Sequence, residues 1–394
     1  MHQLNETILQ FIEKHLNDDL NQLALNAQKY KDIPIPFIIS QINGRLKAKK
    51  KLPFLLEYSK ILYPKKISME QCSSEITGRY KAQLYKGNKM IDLTGGFGID
   101  CLFFAEKFKE VHYVERDKEL CEIMRHNSQI LGIDNILVNH SNSETVLDKN
   151  TEDFDLIYVD PARRDEHKSK IVNFQDCQPN ILEIRRKLLK QGSKILIKAS
   201  PLLDIKLAID QLENVSVIHV ISIKNDCKEL LFELANQECL APTIRCVNFI
   251  DKENFMAFET KLNAEKNATV EYSLPEKYLF EPNASIMKAG LFRSVSQNLN
   301  LKKLHPNSHL YTFNKFRENL PGRVFEIENT FNFNKKDLKR LQKLKKAHIK
   351  ARNFPLSVQQ IRKKTGLQEG GEVYLFATTT LNNELIVIES KKMM

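Results

Sequence analysis

No stretch of this 394-residue chain approaches the ~20 consecutive apolar residues of a membrane span, so no membrane partner is expected. The start, Met1-His-Gln-Leu-Asn-Glu6, lacks the basic residues and apolar stretch of a secretory signal. Cysteine is sparse: seven residues, odd in number and scattered, with no C-x-x-C pair. That pattern argues against a disulfide frame and a zinc site and for reduced thiols in a cytoplasm, with no metal expected. Acidic residues are in the minority, 49 against 60 Lys and Arg, and the net charge of +11 favours an anionic partner. What is present suffices for ordinary globular cores, 42% hydrophobic residues, and the length suggests two or three domains.

The chain is organised around Met90-Ile-Asp92-Leu-Thr94-Gly95-Gly96-Phe-Gly98-Ile-Asp100. Lys89 to Leu93 reads as a short buried strand. Thr94 to Gly98 turns the chain sharply, and Ile99 to Lys109 follows with Leu102, Phe103, Ala105 and Phe108 at helical spacing. Glycines at such a turn let backbone approach a ligand and adopt positive φ, and the N–H groups at the helix start point toward it. About twenty residues on, Val111 to Glu115 reads as a second strand ending in an acid, which suits the two ribose hydroxyls of an adenosine-type ligand. The G-x-G-x-x-G spacing of dinucleotide folds is not met, because Cys101 stands where the third glycine belongs.

The pattern D-L-x-x-G-x-G with an acid closing the next strand resembles the S-adenosylmethionine-dependent methyltransferases of the Rossmann-like class. The resemblance implies that Thr94, Gly95, Gly96 and Gly98 line the cofactor, the glycines against its methionine part. It also implies that Asp92 faces the cofactor's amino group and that Glu115 holds the ribose. Asn135 to Asn139 reads as a third strand leading to Ser141-Asn142-Ser143. Asn142 or Ser143 stands where many methyltransferases place an acid on the adenine amino group. A fourth strand ends at Asp160-Pro161-Ala162-Arg163-Arg164, where open α/β sheets place their ligands. This resembles the D/N-P-P-x signature of nucleic-acid methyltransferases, with alanine in the second proline position. Asp160, Pro161 and Arg163 are therefore the catalytic candidates, with Asp160 facing an amino group to be methylated; Arg163 and Arg164 suit a phosphate or carboxylate. Pyrimidine C5 methylation would need a cysteine nucleophile near these strand ends. Cys177, expected at a helix start, is poorly placed for it.

Four segments are expected. Residues 1–65 read as a helical N-terminal domain and 66–240 as a Rossmann-like methyltransferase domain, a doubly wound α/β sheet. Within it, Met69 to Tyr85 reads as one helix capped by Ser68 with Gln71, with Lys81 toward the pocket mouth, and Lys198 ends a fifth strand where it could face substrate. Residues 241–320 read as a small α+β module with strands at Thr269 to Tyr272 and Leu310 to Phe313. Its Glu281, Asn283 and Lys288 are candidates for the active-site mouth. Residues 321–394 form another module, with a helix over Lys335 to Lys350. Twelve basic residues and one acid, Asp337, fall between 335 and 364, which reads as a phosphate-backbone footprint carried by Lys339, Arg340, Lys343 and Lys346.

This order of parts resembles a bacterial family of Rossmann-like methyltransferases with a ferredoxin-like insert and a C-terminal THUMP-like domain. Gln71 to Ala82, Asp92 to Gly98, Asp160 to Arg164, Glu281 to Gly290 and Lys350 to Ser357 carry the likeness. It implies methylation of RNA, tRNA or rRNA, at a base amino group or ring nitrogen. The alternatives are a protein or small-molecule methyltransferase, or a non-catalytic RNA-binding protein that keeps the cofactor pocket. Oligomeric state is not legible.

Overall fold

The computed structural model describes residues 4–30, 32–163, 173–237 and 239–393. The chain divides into two compact units, Met1–Ser216 with Leu231–Cys239, and Val217–Leu230 with Leu240–Met394. Among the described residues no helix is long and apolar enough to cross a membrane.

In the first unit, short helices Glu6–Lys14 and Leu20–Leu25 precede the long helix Ile35–Lys51. Pro36 sits in the first turn of that helix, where its missing N–H has no intrahelical partner to lose. Five strands of the large sheet run parallel in this unit: first Gly87–Asp92, second Phe108–Glu115, third Ile136–His140, fourth Leu156–Val159 and fifth Ile195–Ala199. Their spatial order is fifth, fourth, first, second, third. The first and fourth strands are neighbours, and the order reverses there, so their carboxyl ends open a crevice at Asp92 and Asp160. All four residues of the fourth strand are buried, as a strand covered on both faces requires.

Two helices differ from the sequence expectation. The expected helix Met69–Tyr85 is two, Lys66–Gln71 and Glu75–Leu84. Ser74, not Ser68, makes the capping box, exchanging bonds with Thr77 in both directions at 3.2 Å. The helix expected over Ile99–Lys109 ends at Phe104, and Phe108 opens the second strand. Phe108 still packs edge-on against Phe104, so its apolar character fits a helix face and a buried strand equally.

In the second unit, residues 217–223 run parallel to Thr243–Phe249, which pairs antiparallel with Phe255–Lys261. Lys224 and Asn225, both at positive φ, make the turn into Asp226–Leu234. A separate seven-stranded sheet runs in the order Lys302–Lys303, Tyr311–Phe313, Tyr278–Pro282, Gly322–Asn332, Leu385–Lys392, Val373–Thr379, His348–Arg352. The strand expected at Thr269–Tyr272 is absent; Tyr272 makes a single bridge to Lys303. One sheet thus passes through both small modules, and Leu279, Leu304, Phe325, Phe376 and Ile388 share one core. Glu281 lies in that sheet, 2% exposed at its side chain, with Arg323 at 2.6 Å, Lys350 at 2.8 Å and Arg352 at 3.1 Å. Asn283 caps the helix Ala284–Ala289. Glu281 is thus an ion-pair centre in the sheet and Asn283 a helix cap beyond the strand's end.

The helix expected over Lys335–Lys350 covers only Lys335–Leu341, continued by a 3₁₀ turn to Leu344. Lys345 has φ of 59°, and His348–Arg352 is a strand. Ala347, Ile349 and Ala351 alternate at period two and pack on the core of this module, which the helical reading overlooked.

Candidate active site

The turn after the first strand is built by glycines with distinct reasons. A Cβ on Gly95 would lie 2.2 Å from the ring of buried Tyr113, so only glycine lets the loop close onto the sheet. Gly96, at φ +55°, would carry a Cβ into open space, its nearest neighbour Thr94 O at 3.7 Å. Gly98, at φ +83°, starts the following helix and backs onto the Met124 sulfur. Tyr113 Oη donates to Gly96 O at 2.6 Å and pins the loop from below.

Two acids frame this turn. Glu115 Oε2 accepts the Gly96 N–H at 2.9 Å and Oε1 accepts the Asp117 N–H at 2.8 Å, so backbone fixes both oxygens while each keeps further acceptor capacity. Asp92 is 1% exposed. Its Oδ1 accepts from Thr94 N at 2.9 Å and Thr94 Oγ1 at 3.2 Å, and its Oδ2 takes the Cys101 thiol at 3.3 Å. Burial pushes the Asp92 carboxyl up to about 7, against the pull of the Thr94 N–H. A buried acid with little donor support on one oxygen suits a cationic group.

The third strand leads to Asn142, which caps the helix Ser143–Lys149 by accepting from Thr145 N at 2.7 Å. Ser143 Oγ, buried, donates to Leu93 O at 2.7 Å at the end of the first strand. At the fourth strand's end the Asp160 N–H donates to Thr94 Oγ1 at 2.6 Å, which ties the two strand ends together through one threonine. Pro161 follows, partly exposed. Ala162–Arg163 pairs with Cys177–Gln178 in a two-residue ladder, so Cys177 lies in extended backbone and not at a helix start. The Arg163 side chain and residue Arg164 lie outside the described residues.

The structure also gathers residues that local pattern did not single out. Ser73 Oγ donates to Asp100 Oδ2 at 2.7 Å and accepts from Lys81 Nζ at 2.8 Å and Lys198 Nζ at 3.3 Å. Tyr158 Oη donates to the same Asp100 oxygen at 2.8 Å, and Lys81 pairs with Asp100 Oδ1 at 3.1 Å. Lys198 Nζ reaches Asp160 Oδ2 at 2.6 Å. Lys81 is fully buried, so the expectation that it faces a pocket mouth is corrected: it is a counter-ion inside the fold. Burial alone would raise the Asp100 carboxyl, but Lys81 and Lys198 outweigh it and hold it below its usual range. The signal available in the sequence was an acid, Asp100, two residues into an otherwise apolar helix.

Among the described residues near these strand ends, Cys101 and Cys72 are held away from the reactive thiolate form. Burial pushes Cys101 well above its ordinary range, beside the Asp92 carboxylate. Burial also raises Cys72, against the pull of Lys51 and Lys198. Cys177 is buried, with its Sγ toward Asn173 O at 3.4 Å. Among the described residues one group, Glu110, His112 and Glu152, has metal-ligand spacing, but Lys89 already supplies its counter-charge at 2.7 Å from Glu152 and 3.6 Å from Glu110.

The residues present fit S-adenosylmethionine: an open face at Gly96, an anchored acid at Glu115 with acceptor capacity for ribose hydroxyls, and a buried acid at Asp92 for a cationic amino group. In the second unit Lys339, Arg340, Lys343 and Lys346 are all exposed.

Comparison with known proteins gives three family matches. Residues 74–216 match a family described as conserved hypothetical protein 95, 278–321 a ferredoxin-like domain and 322–392 a THUMP-like domain. The crystal structure of a candidate methyltransferase from Porphyromonas gingivalis W83 is 31% identical, covers 100% of both chains and superposes with a TM-score of 0.88. A curated protein of Oceanobacillus iheyensis, named as an uncharacterized RNA methyltransferase, is 30% identical over 124 residues. That match covers 28% of this chain and 27% of the relative, so the chain spans about a quarter of that relative's length.

Proposed function

We propose that this chain, a member of the S-adenosylmethionine-dependent methyltransferases that carry a ferredoxin-like and a THUMP-like domain, methylates RNA at a base amino group or ring nitrogen. The observation that carries the RNA reading is the exposed basic surface at Lys339, Arg340, Lys343 and Lys346, in a segment of twelve basic residues and one acid. The RNA methyltransferase name borne by the Oceanobacillus relative supports it over a part of that protein's length. The cytoplasm is the proposed location. The proposed division is 1–65, 66–240, 241–320 and 321–394, as helical, methyltransferase, ferredoxin-like and THUMP-like segments.

In this reading Asp92, Thr94, Gly95, Gly96, Gly98 and Glu115 hold the cofactor. Asn142 and Ser143 are each engaged, Asn142 as a helix cap and Ser143 on Leu93 O, and either oxygen keeps acceptor capacity for the adenine amino group. Bound S-adenosylmethionine supplies a methyl group on a sulfonium, open to in-line attack. Asp160 would accept a hydrogen bond from the acceptor N–H and receive the proton that nitrogen loses as the N–C bond forms and the methyl–sulfur bond breaks, the leaving group being the neutral thioether. Pro161 fixes the backbone beyond it, and Arg163 takes a neighbouring phosphate. Positioning a neutral nitrogen is the main requirement of this chemistry, and no covalent nucleophile is needed.

Mass spectrometry of nucleosides in total RNA from cells with and without the gene tests the reading. A modified nucleoside missing from the deficient cells is the expected result. Identical nucleoside profiles, together with methyl incorporation into protein or small molecules by the purified enzyme, would overturn it.

Two predictions follow from the cofactor side. Glu115→Ala weakens S-adenosylmethionine binding by roughly 1–3 kcal/mol in calorimetry, the scale of lost charge-assisted hydrogen bonds; unchanged affinity removes Glu115 from the site. The second concerns pH. Asp92 titrates at about 7 in the free protein, and a cationic amino group beside it lowers that value in the complex. Binding then favours the deprotonated acid, so affinity rises with pH below about 7 and levels off above it. Calorimetry from roughly pH 5.5 to 8 should show that rise, with Asp92→Asn abolishing it. A flat profile in the unaltered protein places the amino group elsewhere.

A further inference from the structure

We propose that Lys198 is a positioning residue for the acceptor reaction: it fixes the Asp160 carboxylate and ties it through Ser73 to the segment before the first strand. The inference rests on the reading of Asp160 given above. Lys198 is the next-to-last residue of the fifth strand and Asp160 directly follows the fourth, and these strands are neighbours. The ammonium meets Asp160 Oδ2 at 2.6 Å, with side-chain exposures of 11% and 32%, so the pair stands at the boundary between core and crevice. An ammonium held on one carboxylate oxygen sets the plane of the carboxylate and the direction of the other oxygen. The Asp160 main chain is fixed independently, by its N–H on Thr94 Oγ1.

Lys198 is itself held from behind. Ser73 Oγ has one proton and two acceptor sites: the proton goes to Asp100 at 2.7 Å, and the acceptor sites face Lys81 and Lys198. Asp100 is fixed by Tyr158 from the fourth strand. The chain of contacts therefore runs from the strand that carries Asp160, through Asp100, Ser73 and Lys198, back to Asp160. A closed network of this kind, buried at Ser73, Asp100 and Lys81 and opening to the crevice at Asp160, holds its members to one geometry, because breaking a bond in its buried part leaves a polar group unmatched. A surface ion pair would not do this, since its members are hydrated and mobile.

The test uses full-length protein, labelled S-adenosylmethionine, and whole extract from cells lacking the gene, fractionated afterwards into RNA, protein and small molecules. Lys198→Met should lower the incorporation rate at saturating cofactor by about a hundredfold, the scale of a misplaced reacting group, with the KM for cofactor within about threefold. Lys198→Arg should recover most of the rate. The double variant Lys198→Met with Asp160→Asn should be no slower than Asp160→Asn alone, because a residue that acts through Asp160 has nothing left to position. A full rate in Lys198→Met, or losses that multiply in the double variant, overturns the proposal. If Lys198→Met does not fold by thermal unfolding, Ser73→Ala takes its place, with a rate loss of at least about tenfold expected and an unchanged rate overturning it. Asp160→Asn at full rate overturns the reading of Asp160 itself. Incorporation into protein instead of RNA overturns the RNA reading while the Lys198 comparison stands, and no incorporation into any fraction overturns both.

Discussion

Asp160→Ala abolishes methyl transfer, lowering turnover by about 10³-fold or more, and leaves S-adenosylmethionine affinity within about threefold. The magnitude follows from two losses in one substitution. The acceptor nitrogen loses the group that orients its lone pair, and it loses the acceptor for its departing proton. Cofactor affinity is spared because Asp92, the glycine turn and Glu115 stand at the ends of the first and second strands, and Thr94 links Asp92 to Asp160 through main-chain contacts. That link uses the Asp160 backbone N–H, which alanine keeps. Single-turnover methylation of RNA beside calorimetry of the cofactor separates the two quantities. An Asp160→Ala protein with full turnover removes the residue from the chemistry, and one that loses cofactor affinity in proportion assigns it to the cofactor instead.

The features that carry this argument were visible in sequence because each interrupts a buried apolar strand at a fixed place. Asp92, Glu115 and Asp160 end the first strand, end the second and follow the fourth, and the glycine turn follows the first. The same regularity made a doubly wound sheet legible. The network behind Asp160 was not. Ser73 meets Asp100 across 27 residues, Asp100 meets Tyr158 across 58, and Lys198 meets Ser73 across 125. No local periodicity encodes which lysine in a buried fold finds which carboxylate. Lys81 shows the cost of that: helical phasing placed it correctly on a helix, but its buried partner, Asp100, is fixed only by tertiary packing. At Phe108 and over Ala347 to Ala351 the failure was different. There apolar residues fit both periods, and neighbouring strands decide the outcome.

Changing Lys339, Arg340, Lys343 and Lys346 together to Gln flattens the dependence of RNA affinity on salt by roughly 3 in the log–log slope, at about 0.7 per single-strand phosphate contact and about 0.9 for duplex. The loss is largest at low salt, since released counterions supply this part of the affinity. The fold survives the change. The four side chains are exposed, while the segment is anchored by Leu341, 2% exposed, with Leu338 and Leu344 packed beside it. Exposed Arg340 has a carboxylate partner, half-buried Asp337, at 3.8 Å, and a contact at that distance to an exposed guanidinium contributes little to stability. Cofactor affinity stays constant, because the cofactor-binding candidates all belong to the other unit. A binding series from about 50 to 200 mM salt, run beside thermal unfolding, gives the answer. If the slope is unaltered and the protein remains folded, the basic run is a solvated face and a protein or small-molecule acceptor becomes the better reading. If the slope falls while single-turnover methylation at saturating RNA is unchanged, these residues recruit RNA without shaping the chemistry at Asp160.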